Sequence, residues 1–189
     1  MIGVDEVGRG CLAGPILVAA ARQIGPLPTS LRDSKLMTRK QRETIYQLLT
    51  ASCQFSEGWV KAVEIDRHGL AKALRLGIKR ALSGIQAQVD EEIVMDGKVN
   101  YMPKKFKKAR CLVDADNLVP IVSAASIFAK VTRDNYMIEL ARRHPAYKFE
   151  KHVGYGTVEH LKAIDSFGII KFVHRASYAP VSKLITQLS

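Results

Sequence analysis

Three apolar segments of this sequence each run into acidic residues. The acids are Asp5 and Glu6 after the first segment, Asp96 after the second, and Asp114 with Asp116 after the third. Because burying an unpaired carboxylate is unfavourable, such acids need solvent, a basic side chain or a metal ion beside them. Carboxylate oxygens without neighbouring histidine or cysteine suit Mg²⁺ or Mn²⁺ better than zinc. If the segment ends meet, their acids predict a divalent-cation site that substrate phosphates complete.

The overall charge points to the kind of substrate. The chain has 29 lysines and arginines against 18 aspartates and glutamates, which gives a net charge of +11. A surplus of this size favours a polyanionic partner, nucleic acid first and an anionic membrane surface second. A basic protein that holds an acidic cation site is typical of phosphoryl transfer on nucleic acid.

Length, hydropathy and cysteine content narrow the class of protein. With 189 residues, the chain is expected to form one domain, by default a monomer. No apolar run approaches the ~20 residues of a transmembrane helix, and the acidic start lacks the basic segment of a signal peptide. Cys11, Cys53 and Cys111 form no CxxC pair, which predicts buried thiols in a reducing, cytoplasmic environment.

Secondary structure must position the acids, and the hydrophobic pattern predicts where it lies. Strands are predicted over 2–7, 14–24, 53–63, 92–97 and 110–113, and helices over 38–50, 64–86, 121–143 and 158–167. Thr38 with Gln41 is typical of a capping box, and Thr157 and Gly168 mark the start and end of the last helix. The first two strands are close enough in sequence to form an antiparallel hairpin. The mixture predicts an α/β domain with a mixed sheet.

Strand geometry leaves open which acids share a face. Neighbouring strand residues point to opposite faces, so Asp5 and Glu6 face one site only if a twist or a bulge near Gly8 turns Glu6 round. The backbone carbonyl of Glu6 could also serve in place of its side chain. Asp114 and Asp116, two residues apart, would share a face in an extended segment.

The segment Asp5-Glu6-Val7-Gly8-Arg9-Gly10 resembles a motif of ribonuclease HII. The resemblance continues in order with Asp33-Ser34-Lys35, Asp96-Gly97, Val119-Pro120 with the block at 123–134, Gly154-Tyr155-x-Thr157 and His174-Arg175-x-Ser177. Ordered blocks that span nearly the whole chain are far more specific than the first block alone.

This resemblance implies a fold and an activity. The fold is ribonuclease H-like, a five-stranded mixed sheet flanked by helices, in one domain over 1–189 with a helical C-terminal extension over about 144–189. The implied activity is that of an endoribonuclease that uses two Mg²⁺ or Mn²⁺ ions once substrate is bound. The family hydrolyses the RNA strand of RNA–DNA hybrids and incises duplex DNA 5′ to an embedded ribonucleotide, leaving 3′-hydroxyl and 5′-phosphate ends. No membrane partner is expected, and a replication or repair partner stays unidentified.

The resemblance also assigns the metal-site acids. The four acids of the family correspond to Asp5, Glu6, Asp96 and Asp116. The family commonly has a lysine-glycine pair before its last acid, where this sequence has Asp114-Ala115. This exchanges a cation for a carboxylate near the site, so metal affinity or preference can differ from that of the family. The spacing to Val119-Pro120 favours Asp116 over Asp114 as the ligand.

The substrate-recognising segment and tyrosine of the family correspond to Gly8, Arg9, Gly10 and Tyr155. Glycine lets the backbone approach the 2′-hydroxyl that distinguishes RNA from DNA. Arg9, Ser34 and Lys35 are expected to contact phosphates, which positions the substrate without recognising its sequence. Val153 and Leu36 stand where the family usually has lysines, a change expected to weaken phosphate binding.

Several other polar residues have an ordinary structural interpretation. Asp134 is expected to pair with a nearby cation, and His152 and His174 to be structural. A solvated helix face accounts for Lys72, Arg75 and Lys79. The basic run at 104–110 either follows a phosphate backbone or is simply exposed.

Other classes fit parts of the sequence. Asp114-x-Asp116 after an apolar strand is similar to the nucleophile and acid of a haloacid dehalogenase-like phosphatase, although Leu118 stands where that family has threonine or valine. A basic nucleic-acid-binding module with a decayed site would explain the charge and the departures. Ribonuclease HIII, the sister family, is disfavoured by Arg9 between two glycines and by the short N-terminus.

Overall fold

The computed structural model describes residues 1–29, 31 and 37–187. Its strands are β1 (Ile2–Val7), β2 (Ile16–Gln23), β3 (Cys53–Val60), β4 (Ile93–Asp96) and β5 (Ala109–Leu112). They form one five-stranded sheet in the order β3-β2-β1-β4-β5. β2 pairs antiparallel with β1 and β3, whereas β4 pairs parallel with β1 and β5. The mixed sheet and the β1–β2 hairpin confirm the predicted fold class.

Helices cover both faces of this sheet. They are α1 (Arg39–Ser52), α2 (Ala62–His68), α3 (Leu70–Gly84), α4 (Ala115–Leu118), α5 (Pro120–Arg143), a 3-10 turn (Pro145–Tyr147), α6 (Phe149–His152), α7 (Val158–Phe167) and α8 (Ala179–Gln187). Residues of α1 and α5 form the core on one face, and residues of α2 and α3 form it on the other.

Strand alternation assigns side chains to these two core layers. Val18 belongs to the same buried cluster as Leu74 of α3, whereas its neighbour Leu17 belongs to the cluster under α5. Gly3 lets α5 lie close to β1, because a Cβ there would overlap the backbone of Ile121. This close approach brings the polar face of α5 to the end of β1.

Capping residues begin and end two helices as predicted. The Thr38 side chain accepts the Gln41 N–H at 3.3 Å and the Gln41 side chain accepts the Thr38 N–H at 2.8 Å, a complete capping box. The Thr157 side chain accepts the His160 N–H at 3.3 Å. Gly168 follows α7 with a φ of 77°, a conformation that favours glycine and ends the helix.

The predicted single helix over 64–86 is wrong. The structure has α2 and α3 instead, separated at Gly69, whose φ of 74° no helix can continue through. The strand predicted over 53–63 is also too long, since β3 ends at Val60 and α2 begins at Ala62.

The chain beyond α5 packs against the connection between β1 and β2, which we call the glycine loop (residues 8–15). A buried cluster joins Leu12 and Ala13 of this loop to Phe149 and Val181. The division into a catalytic part and a C-terminal extension stays a prediction.

Membrane and thiol chemistry can be judged from the described residues. Within them, no helix combines the length and apolar character that crossing a bilayer requires. Cys11, Cys53 and Cys111 are free thiols. Burial raises the pKa of Cys53 to about 11, so this thiol stays protonated at neutral pH. Cys111 is only partly buried, so the prediction of three buried thiols is wrong for that residue.

Candidate active site

A cavity of about 270 Å³ opens at the end of β1, where most of the predicted site residues meet. Its lining comprises Asp5, Glu6, Val7, Gly8, Arg9, Gly10, Asp96, Ser126, Lys130 and Tyr155. A larger cavity of about 570 Å³ lies at the end of α3, but no aspartate, glutamate, histidine or cysteine lines it. Chemistry rather than size therefore identifies the candidate active site.

The end of β1 explains how two neighbouring acids reach one cavity. β1 pairs with β4 only as far as Val4 and Met95, whereas its pairing with β2 continues to Val7. Asp5 and Glu6 therefore lie where the shorter β4 leaves an edge of β1 open. Side chains from either face of a strand can reach a cavity at such an edge, so a bulge is not needed to bring Glu6 there.

Asp5 lies in surroundings that disfavour its charge. The residue is only 8% exposed, and burial raises its pKa to about 8, with the nearby charges of Glu6 and Asp96 adding to the rise. A hydrogen bond from Ser126 and one from the Glu6 N–H, at 2.8 Å from Oδ1, oppose the rise. A cation beside Asp5 would restore its charged form at neutral pH.

Glu6 is paired with the arginine of the glycine loop. Arg9 Nη1 donates to Glu6 Oε1 at 2.9 Å. Burial raises the pKa of Glu6, and the charge of Arg9 opposes that rise. The second oxygen, Oε2, is buried and has no hydrogen-bond partner among the described residues. A buried oxygen without a hydrogen-bond partner is unfavourable, and a bound cation would provide the missing partner.

The other predicted acids lie at the ends of β4 and β5. The Asp96 side chain accepts the Ala115 N–H at 2.8 Å and so fixes the start of α4. Asp116, in the first turn of α4, is 2% exposed and does not line the cavity. Asp114 is exposed, with a φ of 57°. Because the segment is helical rather than extended, the condition under which Asp114 and Asp116 would share a strand face is not met.

These acids have the chemistry of a cation site, although they do not already surround one metal position. In the described part of the chain, no three Asp, Glu, His or Cys side chains already surround one metal position. Glu6 is held by Arg9, and Asp96 by the Ala115 N–H. The donors are nevertheless all carboxylates, and burial, with a smaller contribution from their mutual repulsion, raises the pKa values of Asp5 and Glu6. Such a set fits Mg²⁺ or Mn²⁺, which take oxygen ligands and leave positions for water and phosphate.

Another part of the cavity wall is formed by the glycine loop and Tyr155. Gly8 has a φ of 90°, and a Cβ there would overlap the Arg133 side chain, so the fold itself requires this glycine. No described atom lies within 4 Å of a Cβ placed at Gly10, which leaves that position open to a substrate. Tyr155 is 41% exposed and forms an isolated β-bridge with Cys11 of the loop.

Two cavity residues were missed by the sequence analysis, Ser126 and Lys130 of α5. They are four residues apart, so they lie on the same helix face. Polar residues at this spacing in the largely apolar first half of the helix were the available signal. Lys130 Nζ lies 2.8 Å from Asp134 Oδ1, which confirms that Asp134 pairs with a nearby cation.

The remaining predicted residues lie elsewhere. Ser34 and Lys35 fall outside the described residues. His152 and His174 are buried, in keeping with a structural role. Basic residues of α3 and of the run at 104–110 are exposed and do not line the cavity: Lys72, Arg75, Lys79, Lys104, Lys105, Lys107, Lys108 and Arg110. The helix face at Lys72, Arg75 and Lys79 is therefore solvated, as predicted.

Comparison with known proteins decides between the families considered. A family model described as ribonuclease HII matches residues 2–181. Ribonuclease HII of Wolbachia pipientis wMel is 40% identical over 185 residues, which cover 97% of this chain and 91% of the relative. Ribonuclease HII of Ehrlichia canis (strain Jake) is 39% identical, with 96% and 86% covered. The chain belongs to the ribonuclease HII family.

Solved structures agree with this assignment at the level of fold. The ribonuclease HII in a PCNA complex from Archaeoglobus fulgidus has a TM-score of 0.77 at 21% identity, over 97% of this chain and 95% of that one. Ribonuclease H2 of Pyrococcus horikoshii OT3 has a TM-score of 0.74 at 23% identity, over 98% and 97%. A Bst ribonuclease HIII solved with Mn²⁺ has a TM-score of 0.71 at 20% identity, over 98% and 69%. The likenesses confirm the ribonuclease H-like fold.

Membership of the ribonuclease HII family fixes the class of reaction. The protein is a ribonuclease H, a hydrolase that cuts RNA in RNA–DNA hybrids. The phosphatase, ribonuclease HIII and binding-module interpretations are therefore wrong. The comparisons assign the family, and the cavity at the end of β1 is where we place its chemistry.

Proposed function

We propose that this ribonuclease HII also incises duplex DNA 5′ to an embedded single ribonucleotide and leaves 3′-hydroxyl and 5′-phosphate ends. The observation that carries this proposal is the shared cavity, in which the crowded acids and the glycine loop line one space of about 270 Å³. A ribose held at the loop would have its phosphate beside the acids.

The acids supply the metal-binding half of the proposal. Asp5, Glu6, Asp96 and Asp116 would hold Mg²⁺ or Mn²⁺. A pair of such ions, held by these acids, would supply the positive charge that activates the attacking water and stabilises the leaving 3′ oxygen. The buried Glu6 Oε2 and the raised pKa of Asp5 support this role, since both call for a cation. Ser126 orients Asp5 through its hydrogen bond.

The glycine loop and Tyr155 supply the recognition half. The open space at Gly10 lets a ribose approach the backbone, where its 2′-hydroxyl can be recognised. Tyr155, which is partly exposed beside the loop, would pack on the next sugar. Arg9, whose side chain is 48% exposed, would contact phosphate together with Ser34 and Lys35.

The biological setting stays a prediction. The archaeal relative was solved in a complex with PCNA, and we propose a replication or repair partner for this chain without identifying it. A cytoplasmic monomer remains the expected state, and hybrid and ribonucleotide-containing duplexes remain the expected nucleic-acid partners.

A gel assay on end-labelled duplexes tests the proposed function. One duplex carries a single ribonucleotide, and its all-DNA copy is the control. We expect a nick 5′ to the ribonucleotide in Mg²⁺ or Mn²⁺, none with chelator, and none in the control. An enzyme that cuts a uniform hybrid but leaves the single-ribonucleotide duplex intact would contradict the proposal, and comparing the metals shows how Asp114 alters their use.

A further inference from the structure

Two guanidinium groups are fully buried beneath the glycine loop. Arg133 of α5 and Arg175, which follows α7, are both 0% exposed. Their hydrogen-bond partners among the described residues are carbonyl and hydroxyl oxygens, not carboxylates. Burying a cation without a carboxylate is unfavourable. Because natural sequences break such rules mainly at functional sites, these side chains point to a role in the site.

Arg175 holds the glycine loop by its carbonyl groups. Nη2 donates to the Gly8 carbonyl at 2.7 Å and Nη1 donates to the Arg9 carbonyl at 2.8 Å. Nε and Nη2 also donate to the Gly14 carbonyl at 3.1 and 2.9 Å. The Tyr178 hydroxyl accepts from Arg175 Nη1 at 3.1 Å and donates to the Arg9 carbonyl at 2.7 Å. One rigid, planar group therefore fixes both ends of the loop.

His174 is linked through a second histidine, His160, to Tyr155, which lines the cavity beside the glycine loop. Its Nδ1 accepts the Ile170 N–H at 2.8 Å, so its proton lies on Nε2, which donates to His160 Nε2 at 3.2 Å. His160 Nδ1 then donates to the Tyr155 carbonyl at 2.9 Å. Burial lowers the pKa of each ring to about 4, which keeps this chain of neutral donors intact at neutral pH.

Ser177 anchors the same segment to α2. Its hydroxyl and its N–H both donate to Asp66 Oδ1, at 2.6 and 2.9 Å, and the Ala176 N–H donates to Asp66 Oδ2 at 3.0 Å. Each named residue of the His174-Arg175-x-Ser177 motif thus has a partner outside the 174–178 segment. These contacts account for the motif, because its residues hold the glycine loop and Tyr155 and are themselves anchored to α2.

We propose that the 174–178 segment positions the glycine loop and Tyr155 against each other and so sets the preference for a single ribonucleotide. This inference rests on the proposed function, in which these two elements recognise the ribonucleotide. Arg175 and Tyr178 are positioning residues, since they hold the loop from behind. A site held in advance binds one 2′-hydroxyl with little rearrangement. On a continuous hybrid, the phosphate contacts dominate and a looser loop matters less.

Tyr178→Phe is the mild variant that tests this inference. It removes the hydroxyl that donates to the Arg9 carbonyl and keeps the ring. Tyr147→Phe is the matched control, because it removes a hydroxyl that donates to the Gly168 carbonyl at 2.8 Å in the same part of the chain. The value of kcat/KM is measured on the single-ribonucleotide duplex and on a uniform hybrid.

We expect Tyr178→Phe to lower the ratio of kcat/KM on the single-ribonucleotide duplex to kcat/KM on the uniform hybrid about fivefold. This is the effect of one lost hydrogen bond. The loss should lie in kcat on the single-ribonucleotide duplex rather than in KM. Tyr147→Phe should leave the ratio unchanged. An unchanged ratio in Tyr178→Phe, or the same shift in both variants, would overturn the inference.

Hydrogen exchange of the metal-free enzyme tests the inference without any cleavage. Arg175→Lys keeps the charge but loses the planar fork, and His174→Asn has a side chain too short to reach His160. Amides of the glycine loop should exchange faster in Arg175→Lys and in Tyr178→Phe, and amides next to Tyr155 should exchange faster in His174→Asn. His68→Asn, at an exposed histidine, is the control.

The two experiments separate the two claims. Exchange that is unchanged in the loop, or faster throughout the chain, would overturn the positioning role. If the unmodified enzyme leaves the single-ribonucleotide duplex intact, the proposed function fails. The exchange data still decide in that case whether the 174–178 segment holds the loop.

Discussion

The two walls of the cavity are built in opposite ways. We call the part lined by Asp5, Glu6 and Asp96 the acid wall, and the part lined by the glycine loop and Tyr155 the loop wall. On the acid wall, burial and neighbouring charges raise the pKa of Asp5 to about 8, and Glu6 Oε2 has no hydrogen-bond partner among the described residues. On the loop wall, Arg175 and the His174 chain give the loop and Tyr155 carbonyls donors. Under the proposed function, this difference means that hydrogen bonds hold the recognition elements in advance, whereas the acids require a cation that the chain itself does not supply.

The largest expected effect breaks the acid wall. Asp5→Asn removes a metal ligand, and we expect cleavage to fall at least ~1000-fold. Duplex binding should persist, because it depends on phosphate contacts and the variant has less negative charge. In chelator the variant should melt at a higher temperature than the unmodified protein, since one crowded carboxylate is gone. Cleavage in Mg²⁺ and thermal melting in chelator measure the two effects.

The control for this pair of effects is Asp90→Asn, which changes an exposed acid away from the cavity. It should alter neither cleavage nor melting. Cleavage close to normal in Asp5→Asn would refute the metal-site assignment. A lower melting temperature of Asp5→Asn in chelator would refute the idea that the acids destabilise one another.

A second prediction concerns how the free energy of unfolding depends on pH through the two buried histidines behind the loop wall. The pKa values of His160 and His174 are lowered from 6.5 to about 4 by burial. Between these values the unfolded chain binds more protons than the folded one, so stability falls as the pH falls. The contribution of the two rings is complete above about pH 6.5 and lost near pH 4. At about 1.4 kcal/mol per pKa unit, we expect the free energy of unfolding to fall by ~3.5 kcal/mol for each ring and by ~7 kcal/mol for both.

Urea unfolding at a series of pH values measures this fall. His160→Gln should reduce the fall to about half, because a glutamine does not titrate while His174 still does. His68→Gln, which replaces an exposed histidine, should keep it. A fall of the same size in His160→Gln would show that the acid sensitivity arises elsewhere.

The smallest expected effect concerns the open position on the loop wall. Gly10→Ala adds a methyl group where no described atom lies within 4 Å, so folding should be unaffected. Incision at a single ribonucleotide should fall about tenfold, because the methyl group keeps the ribose from the backbone. Melting temperature and incision rate together check this prediction.

Gly25→Ala is the matched control, since the nearest atom to a Cβ there is at 3.6 Å, an ordinary contact. It should alter neither quantity. Unchanged incision by Gly10→Ala would remove Gly10 from the loop wall, and a lowered melting temperature would mean that the fold requires this glycine too.

Local signals predicted most of the fold. Thr38 and Thr157 act on backbone groups within one helical turn, so their capping roles are visible in the sequence. Gly69 is different, because a glycine in an apolar helical pattern is often tolerated. The apolar spacing alone therefore does not show its positive φ, which divides α2 from α3.

Residue type also predicted much of the candidate site, but not its geometry. The sequence predicted Asp5, Glu6 and Asp96 as site residues, and all three line one cavity. It could not show that β4 ends early, which opens the edge of β1 to Glu6. Nor could it assign Arg175, whose carbonyl partners at positions 8 and 9 lie 167 and 166 residues away. Such contacts depend on tertiary structure alone.

Anomalous diffraction would show directly whether the acid wall binds divalent cations. Crystals of the enzyme with an all-DNA duplex would be grown in Mn²⁺ at a concentration that supports cleavage. We expect manganese peaks beside Asp5, Glu6 and Asp96, with Asp116 rather than Asp114 as the further ligand. These peaks should be lost in Asp5→Asn. A cavity without manganese under these conditions, or manganese bound only elsewhere, would contradict it.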